Sequence, residues 1–388
     1  MQSELLWIWL SEAFYKGNRK AKLIVDALGG SVMAVYSAEK FKLLKIWGIY
    51  EKDAAALENK DLDNAKSILR ECEKKGIRVI TPDSVEYPKR LWQIVNPPIV
   101  LYAKGEPLDI DREVSIAIVG TRKASQNGET SAKQIAYDLA AHGVTVVSGL
   151  AKGIDTVVAE SVLSAGGKTV AVFGCGVDVI YPAENKNIAA KIEKTGTLLS
   201  EYPPGTRPFP KFFPARNRII SGLSLGTVVA EAPEKSGALI TAKYALEQNR
   251  DVFAIPSGIF EKTAEGTNNL IKEGAIAVTS AGDILAEYAR VYGDKIKLAP
   301  PIEPQERKVA DLPPSKSPEE LRKNTDILDN FTGDERAVMK ALLEDEETVD
   351  GIVRKSGVSV SKVLASLTLL EIRGSVKRHP GNKFRIKH

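Results

Sequence analysis

Residues 200–224, SEYPPGTRPFPKFFPARNRIISGLS, interleave Arg207, Lys211, Arg216 and Arg218 with Phe209, Phe212 and Phe213. Five prolines fall within the first fifteen of these residues and stiffen the backbone. Cations mixed with aromatic faces suit a polyanion that carries stackable rings: charges hold phosphates and faces hold bases. A second reading fits the same residues. In it the stretch is a surface loop whose phenylalanines pack inward, Phe212 first, and whose charges are solvated. The stretch alone does not choose between them.

Other short segments carry related chemistry. Gly120-Thr-Arg122-Lys123 and Ser148-Gly149-Leu-Ala-Lys152-Gly153 each place cations among glycines, as does Lys235-Ser236-Gly237, while Gly174-Cys175-Gly176 offers backbone alone. Glycines free backbone N–H groups, and helix N-termini add partial positive charge, both of which suit phosphates. Asp155 reads as a cap for the helix that follows it. Cys175 reads as a close-packing residue between glycines. Glu201, Glu231 and Glu234 are the acids near these segments, suited to caps, to ion pairs with the arginines, or to a general acid/base pair.

The elements that position these segments follow a plain alternation. Apolar runs at 114–120, 144–149, 169–174, 197–200, 227–232, 251–256 and 276–280 each precede a helical pattern, at 129–142, 156–165, 187–194, 217–223, 238–248, 268–272 and 283–292. Short apolar runs alternating with helices predict crossover units and a mostly parallel sheet buried on both faces. Runs at 77–80 and 99–103 extend it. In such a sheet, ligands sit at the carboxyl ends of the strands, where the basic segments fall. The first loop is not GxGxxG and the second strand ends in Ser148 rather than an acid, which disfavours a dinucleotide. Gly167-Lys168-Thr169 enters a strand instead of leaving one, so it is no P-loop.

Before the sheet, residues 1–65 read as a small helical, SAM-like bundle. Its acids Glu51, Asp53, Glu58 and Asp61 weigh against an anion site and towards a structural or interaction role. The sheet domain spans 66–294. Residues 295–325 are a proline-rich linker, and 326–388 read as helix, helix, helix and hairpin, the winged-helix pattern.

Composition bounds the function. The 388 residues include 54 Lys+Arg against 50 Asp+Glu, a net charge of +4, so any anion site comes from local clustering. Cys72 and Cys175 form no CxxC pair, and His142, His379 and His388 are scattered, which leaves no metal or Ser/His/Asp constellation in view. No stretch is long enough to span a bilayer, and the expected setting is the cytoplasm.

Six ordered blocks, VGTRKASQNG, SGLAKGID, AVFGCGVDVIYPAEN, LLSEYPPGTRPFPKFFPARNRIISGLS, EAPEKSGALITAKYALEQNRDVFAIP and GTNNLIKEGA, together with YPKRLWQIVNPPIVLYAKG before them, resemble the DNA-processing protein A (DprA/Smf) family. The resemblance covers the sheet domain, from about Tyr87 to about Val278. It implies an extended Rossmann-like domain that dimerises, binds single-stranded DNA without sequence preference, needs no cofactor and is not an enzyme. It also implies RecA as a partner, loaded onto incoming strands in natural transformation or recombination. The family's DNA contacts map onto Arg122 and onto Phe213, Arg216, Asn217 and Arg218, with Lys211 a looser fit. With them we group Lys123, Lys152, Lys235, Gly120, Gly149 and Gly174. Ala159 stands where many members carry histidine, and Ser257 precedes Gly258 where a glycine commonly follows the proline.

Two other functions stay open on sequence. Gly222 and Gly226 frame Ser224, with Glu231 further on, as in related nucleotide-processing enzymes. The winged helix, with Ser359, Ser361 and Lys362 on its third helix, could instead be a duplex-specific regulator.

Overall fold

Strand β3 (Ser115–Val119) is buried along its whole length, and its side chains serve two cores in alternation. Ile116 and Ile118 pack with the Gln126–Ala141, Ile154–Ser164 and Ala281–Tyr292 helices, whereas Ala117 and Val119 pack with the Phe212–Gly222 and Gly237–Glu247 helices on the other face. This two-sided burial is why the central strands read as unbroken apolar runs. The computed structural model describes residues 3–14, 18–107, 109–296, 331, 333–343, 347–379 and 383–386.

The remaining strands of this sheet are β1 (Arg78–Ile80), β2 (Leu101–Gly105), β4 (Thr145–Ser148), β5 (Thr169–Phe173), β6 (Thr197–Ser200), β7 (Gly226–Val229), β8 (Asp251–Ala254) and β9 (Ile276–Ala277). They form one nine-stranded sheet in the order β1-β2-β6-β5-β4-β3-β7-β8-β9. From β6 to β9 every pairing is parallel; β2 joins β6, and β1 joins β2, antiparallel. The two early runs thus extend the sheet at one edge. Successive strands step outward from β3 to β6, and β7 then returns to the opposite side of β3, so the order reverses at β3.

Several boundaries shift by one to three residues, and two differences bear on the site or the sheet edge. The helix expected at 217–223 begins at Phe212, so half of the basic and aromatic stretch is helical. Pro214 lies in its first turn, where no intrahelical N–H donor is required, and the proline therefore does not exclude helix. The run expected at 276–280 pairs only through Ala277. Ser280 and Asp283 close a capping box there and start the next helix.

Among the described residues six helices occupy Ser3–Lys74, the last of them being Asp63–Lys74. Their core is continuous with the sheet: Leu6, Trp7, Ile24 and Leu57 belong to the same apolar cluster as Tyr102, Phe173, Cys175 and Leu198. Accordingly Met1–Pro300 forms one compact unit and Pro301–His388 a second. The linker expected at 295–325 lies outside the described residues beyond Ile296. In the second unit, helices Gly333–Ala341, Val349–Ser356 and Val360–Ile372 accompany a three-stranded sheet of Glu347–Thr348, Lys383–Ile386 and Val376–His379, which is a winged-helix arrangement. Among the described residues no helix is long and apolar enough to cross a membrane.

Candidate nucleic-acid interface

The loops after β3 and β7 leave the sheet on either side of the point where strand order reverses, and the gap between them is a cleft of about 630 Å³. Gly120, Arg122 and Lys123 enter it from β3, Asp155 from the helix after β4, and Lys235, Ser236 and Gly237 from the loop after β7. Phe213, Arg216 and Asn217 line it from the Phe212–Gly222 helix. Seven of the expected residues therefore converge: Gly120, Arg122, Lys123, Phe213, Arg216, Asn217 and Lys235. Lys152 and Lys211 are exposed next to the lining residues Ala151 and Pro210, but do not line the cleft.

Charge at the rim is uncompensated. Arg122, Lys123 and Lys235 are exposed and have no carboxylate partner among the described residues. The Arg122 guanidinium stands 5.5 Å from the centre of the Phe213 ring, whose other neighbour is Tyr181 at 5.4 Å. Phe213 is half-buried, so one part of its surface faces the cleft. Tyr181, 45% exposed and also lining the cleft, is a site residue that sequence reasoning did not single out. It sits in a segment with no neighbouring cations to draw notice.

Arg216 is buried at the floor. Its Nη1 donates to the carbonyls of Gly149 (3.0 Å) and Val172, and its Nε to Asn217 Oδ1 at 3.2 Å. Burial pushes the guanidinium down to about 10; Asp155 opposes that shift and Arg122 adds to it. At neutral pH it remains a cation. Asp155 is itself raised by burial, with Arg216 and the amides of Ala151 and Gly149 pulling back. Its Oδ2 accepts from Gly149 N–H and Ala151 N–H, both at 3.2 Å. The carboxylate thus ties down the loop after β4 from the first helical turn. The cap position is instead Gly153, at φ +85°.

The glycines turn out to make room. A Cβ at Gly149 would lie 2.6 Å from Arg216 Nη2, and one at Gly174 would lie 3.0 Å from Phe213 Cδ1. Gly120 abuts Ile154 in the same way. The expectation that the Gly149 amide faces a phosphate is corrected, because that N–H is already given to Asp155. Gly149→Ala is expected to cost about 1–3 kcal/mol by overpacking the buried guanidinium, measured as a shift of the denaturant midpoint at unchanged slope.

Arg218 also departs from expectation. Two residues on from Arg216, it points to the other side of the helix. There it is 6% exposed, with Nη1 and Nη2 donating to Glu201 Oε1 and Oε2 at 2.7 and 2.5 Å and Nε to Asn96 O at 2.8 Å. A guanidinium forked onto a buried carboxylate is committed to the fold and does not reach a phosphate. Phe212 is likewise buried and stacks on Tyr202 at 4.3 Å. Lys211 places its ammonium 5.4 Å from the Phe212 ring.

Glu231 is 2% exposed, accepts from Ser125 N–H at 2.8 Å and does not line the cleft. The Cys175 Sγ donates to Val179 O at 3.0 Å, and burial pushes the thiol up to about 11. Among the described residues no cluster of three His, Cys, Asp or Glu side chains could hold a metal ion.

Comparison with known proteins fits this architecture. A family model described as DNA recombination-mediator protein A matches residues 78–289, and one described as DprA winged helix domain matches residues 313–382. Protein Smf of Synechocystis sp. is 37% identical over 337 residues, 83% of either chain. DNA processing protein DprA of Bacillus subtilis is 42% identical over 237 residues, 60% of this chain and 80% of that one. The X-ray structure of DNA processing protein A from Streptococcus pneumoniae superposes with a TM-score of 0.64 at 35% identity, covering 72% of this chain and 95% of that one. A Helicobacter pylori DNA processing protein A structure, reported for its single-stranded DNA binding mode, gives a TM-score of 0.50 at 28% identity over 55% of this chain and 96% of that one. With more than half its length matched by the recombination-mediator family model, and with cleft and winged helix both in place, this chain belongs to the DprA/Smf family of DNA-processing proteins that act in recombination.

Proposed function

We propose that the cleft at the β3/β7 reversal binds single-stranded DNA without sequence preference, and that the protein is a recombination mediator rather than an enzyme. The observation that carries this reading is the trio of cations without a carboxylate partner, Arg122, Lys123 and Lys235, lining one cleft with the Phe213 ring, which Arg122 faces at 5.5 Å. Cations that meet phosphates and a ring that meets a base face are indifferent to base identity. A ring half-buried in a cleft needs an unstacked base, which a single strand supplies and a duplex does not. The single-strand binding reported for the Helicobacter pylori relative supports the same assignment. Arg216 contributes positive potential from the floor, and Asn217 positions it through the Nε bond. Lys152 and Lys211 extend the basic rim on either side.

From the family resemblance we further propose that the protein works in the cytoplasm as a homodimer through its sheet domain. It hands the bound strand to RecA, in natural transformation or in general recombination.

Phe213→Ala tests the base contact. Stacking is worth about 1–3 kcal/mol per base, so affinity for an oligodeoxythymidylate should fall roughly tenfold, with the same loss on mixed sequence. Phe213→Trp should retain binding, and duplex of equal length should bind more weakly than single strand. Wild-type affinity in Phe213→Ala, measured by fluorescence anisotropy, would remove the ring from the site and with it the reading.

A further inference from the structure

The helical front of the chain exposes a second aromatic and basic surface that the cleft does not use. Residues 46–50 form a tight turn in which Ile49 N–H donates to Ile46 O at 3.1 Å and Gly48 sits at φ +87°. Ile49 is 5% exposed and Ile46 packs against the same core, so the turn is anchored from within. Its two other side chains point outward: Trp47 is 91% exposed and Tyr50 63%, with Phe41 beside them in sequence order at 67%. Large rings held outward on an anchored turn gain nothing for the fold and are costly to leave in water.

Three of the four acids that weigh against an anion site here are ion-paired, Asp61 being the exception. Glu51 and Glu58 pair with Lys40, and Asp53 pairs with Lys20. Among the described residues, Lys42, Lys45 and Lys52 are exposed without a carboxylate partner, and Glu39 is the one acid of residues 39–58 without a lysine. The Lys45 ammonium stands 4.1 Å from the Phe41 ring centre and Lys20 5.0 Å from that of Tyr50. With Lys20 the surface carries five lysines against four acids, and the Trp47 ring stands exposed among the three unpaired ones.

We propose that this turn is a second contact for single-stranded nucleic acid, with Trp47 and Tyr50 stacking on unpaired bases and Lys42, Lys45 and Lys52 holding the adjoining phosphates. Rings alone would suit an apolar partner, whereas rings spaced by unpaired lysines match a polyanion whose bases are exposed. The contact is separate from the cleft in its residues, and it lengthens the strand the protein can hold.

The test uses the full chain, with short and long oligodeoxythymidylates and three variants: Trp47→Ala/Tyr50→Ala, Lys42→Ala/Lys45→Ala/Lys52→Ala, and the cleft variant Arg122→Ala/Lys123→Ala/Lys235→Ala. The first should lose roughly tenfold affinity for long strands, keep its affinity for short ones and lose strand-induced tryptophan quenching, with its melting temperature unchanged. The lysine variant should lower the salt slope on long strands by about 2. The cleft variant should retain weak binding to long strands that vanishes when Trp47→Ala/Tyr50→Ala is added. If Trp47→Ala/Tyr50→Ala binds long strands as the wild type does, the inference is overturned. It is equally overturned if that variant loses only binding to anionic phospholipid vesicles, or only self-association. Failure of the wild type to bind short strands would instead sink the cleft assignment, leaving the long-strand comparison between wild type and Trp47→Ala/Tyr50→Ala as the independent reading of this turn.

Discussion

Arg218→Ala is expected to destabilise the protein by about 3–5 kcal/mol while sparing the chemistry of the cleft. Arg218 and Glu201 are 7% and 10% exposed at their side chains, and the fork between them links the end of β6 to the Phe212–Gly222 helix. Removing the guanidinium strands a largely buried carboxylate and takes the donor from the Asn96 carbonyl. Because the pair closes the proline-rich segment between strand and helix, that segment should also become the first site of proteolysis. Replacing both partners by apolar residues of similar volume, Arg218→Met with Glu201→Leu, should recover much of the loss. Denaturant unfolding measures both variants, and single-strand binding is then compared at low denaturant and low temperature, where each is folded. An unchanged midpoint together with lost binding would return Arg218 to the phosphate contacts and contradict its burial.

Arg218 also marks where sequence stops being informative. On paper it and Arg216 are equivalent cations in one motif; helix geometry sends one to the cleft floor and the other to Glu201, seventeen residues away. Nothing local announces that pairing. The parallel sheet was legible for the opposite reason. Strands such as β3 and β7 are buried on both faces, so each prints an uninterrupted apolar run whatever its neighbours. The start of the helix at Phe212 was hidden because Pro214 is one of five prolines that read as stiffening a loop, although a first turn accepts proline. Glycines after strands read as freeing N–H groups for phosphates, whereas at Gly149 and Gly174 the missing Cβ makes room for Arg216 and Phe213. In the helical front, counting acids misled because three of them are ion-paired to two lysines, Lys20 and Lys40, that sequence distance separates from them.

Removing the three rim cations together, Arg122→Ala/Lys123→Ala/Lys235→Ala, is expected to weaken binding of a short single strand about a hundredfold near 0.1 M salt. Each phosphate neutralised on a single strand releases about 0.7 counterion, so three contacts carry about two decades of affinity at that concentration and about two units of log–log salt slope. These side chains are exposed and unpaired, so their truncation removes no buried contact and should leave the unfolding midpoint within about 0.5 kcal/mol of wild type. That separates them from Arg216, whose loss would open the floor of the cleft and strand Asp155. The loss should be the same on oligodeoxythymidylate and on mixed sequence, since a point charge on a phosphate reads no base. Titrations at several salt concentrations distinguish the sources of any weakening: a shallower slope means phosphate contacts were lost, and an unchanged slope with lower affinity means the Phe213 ring moved when Arg122 left it. Wild-type slope and affinity in the triple variant would place the strand elsewhere on the molecule, whatever the cleft's shape.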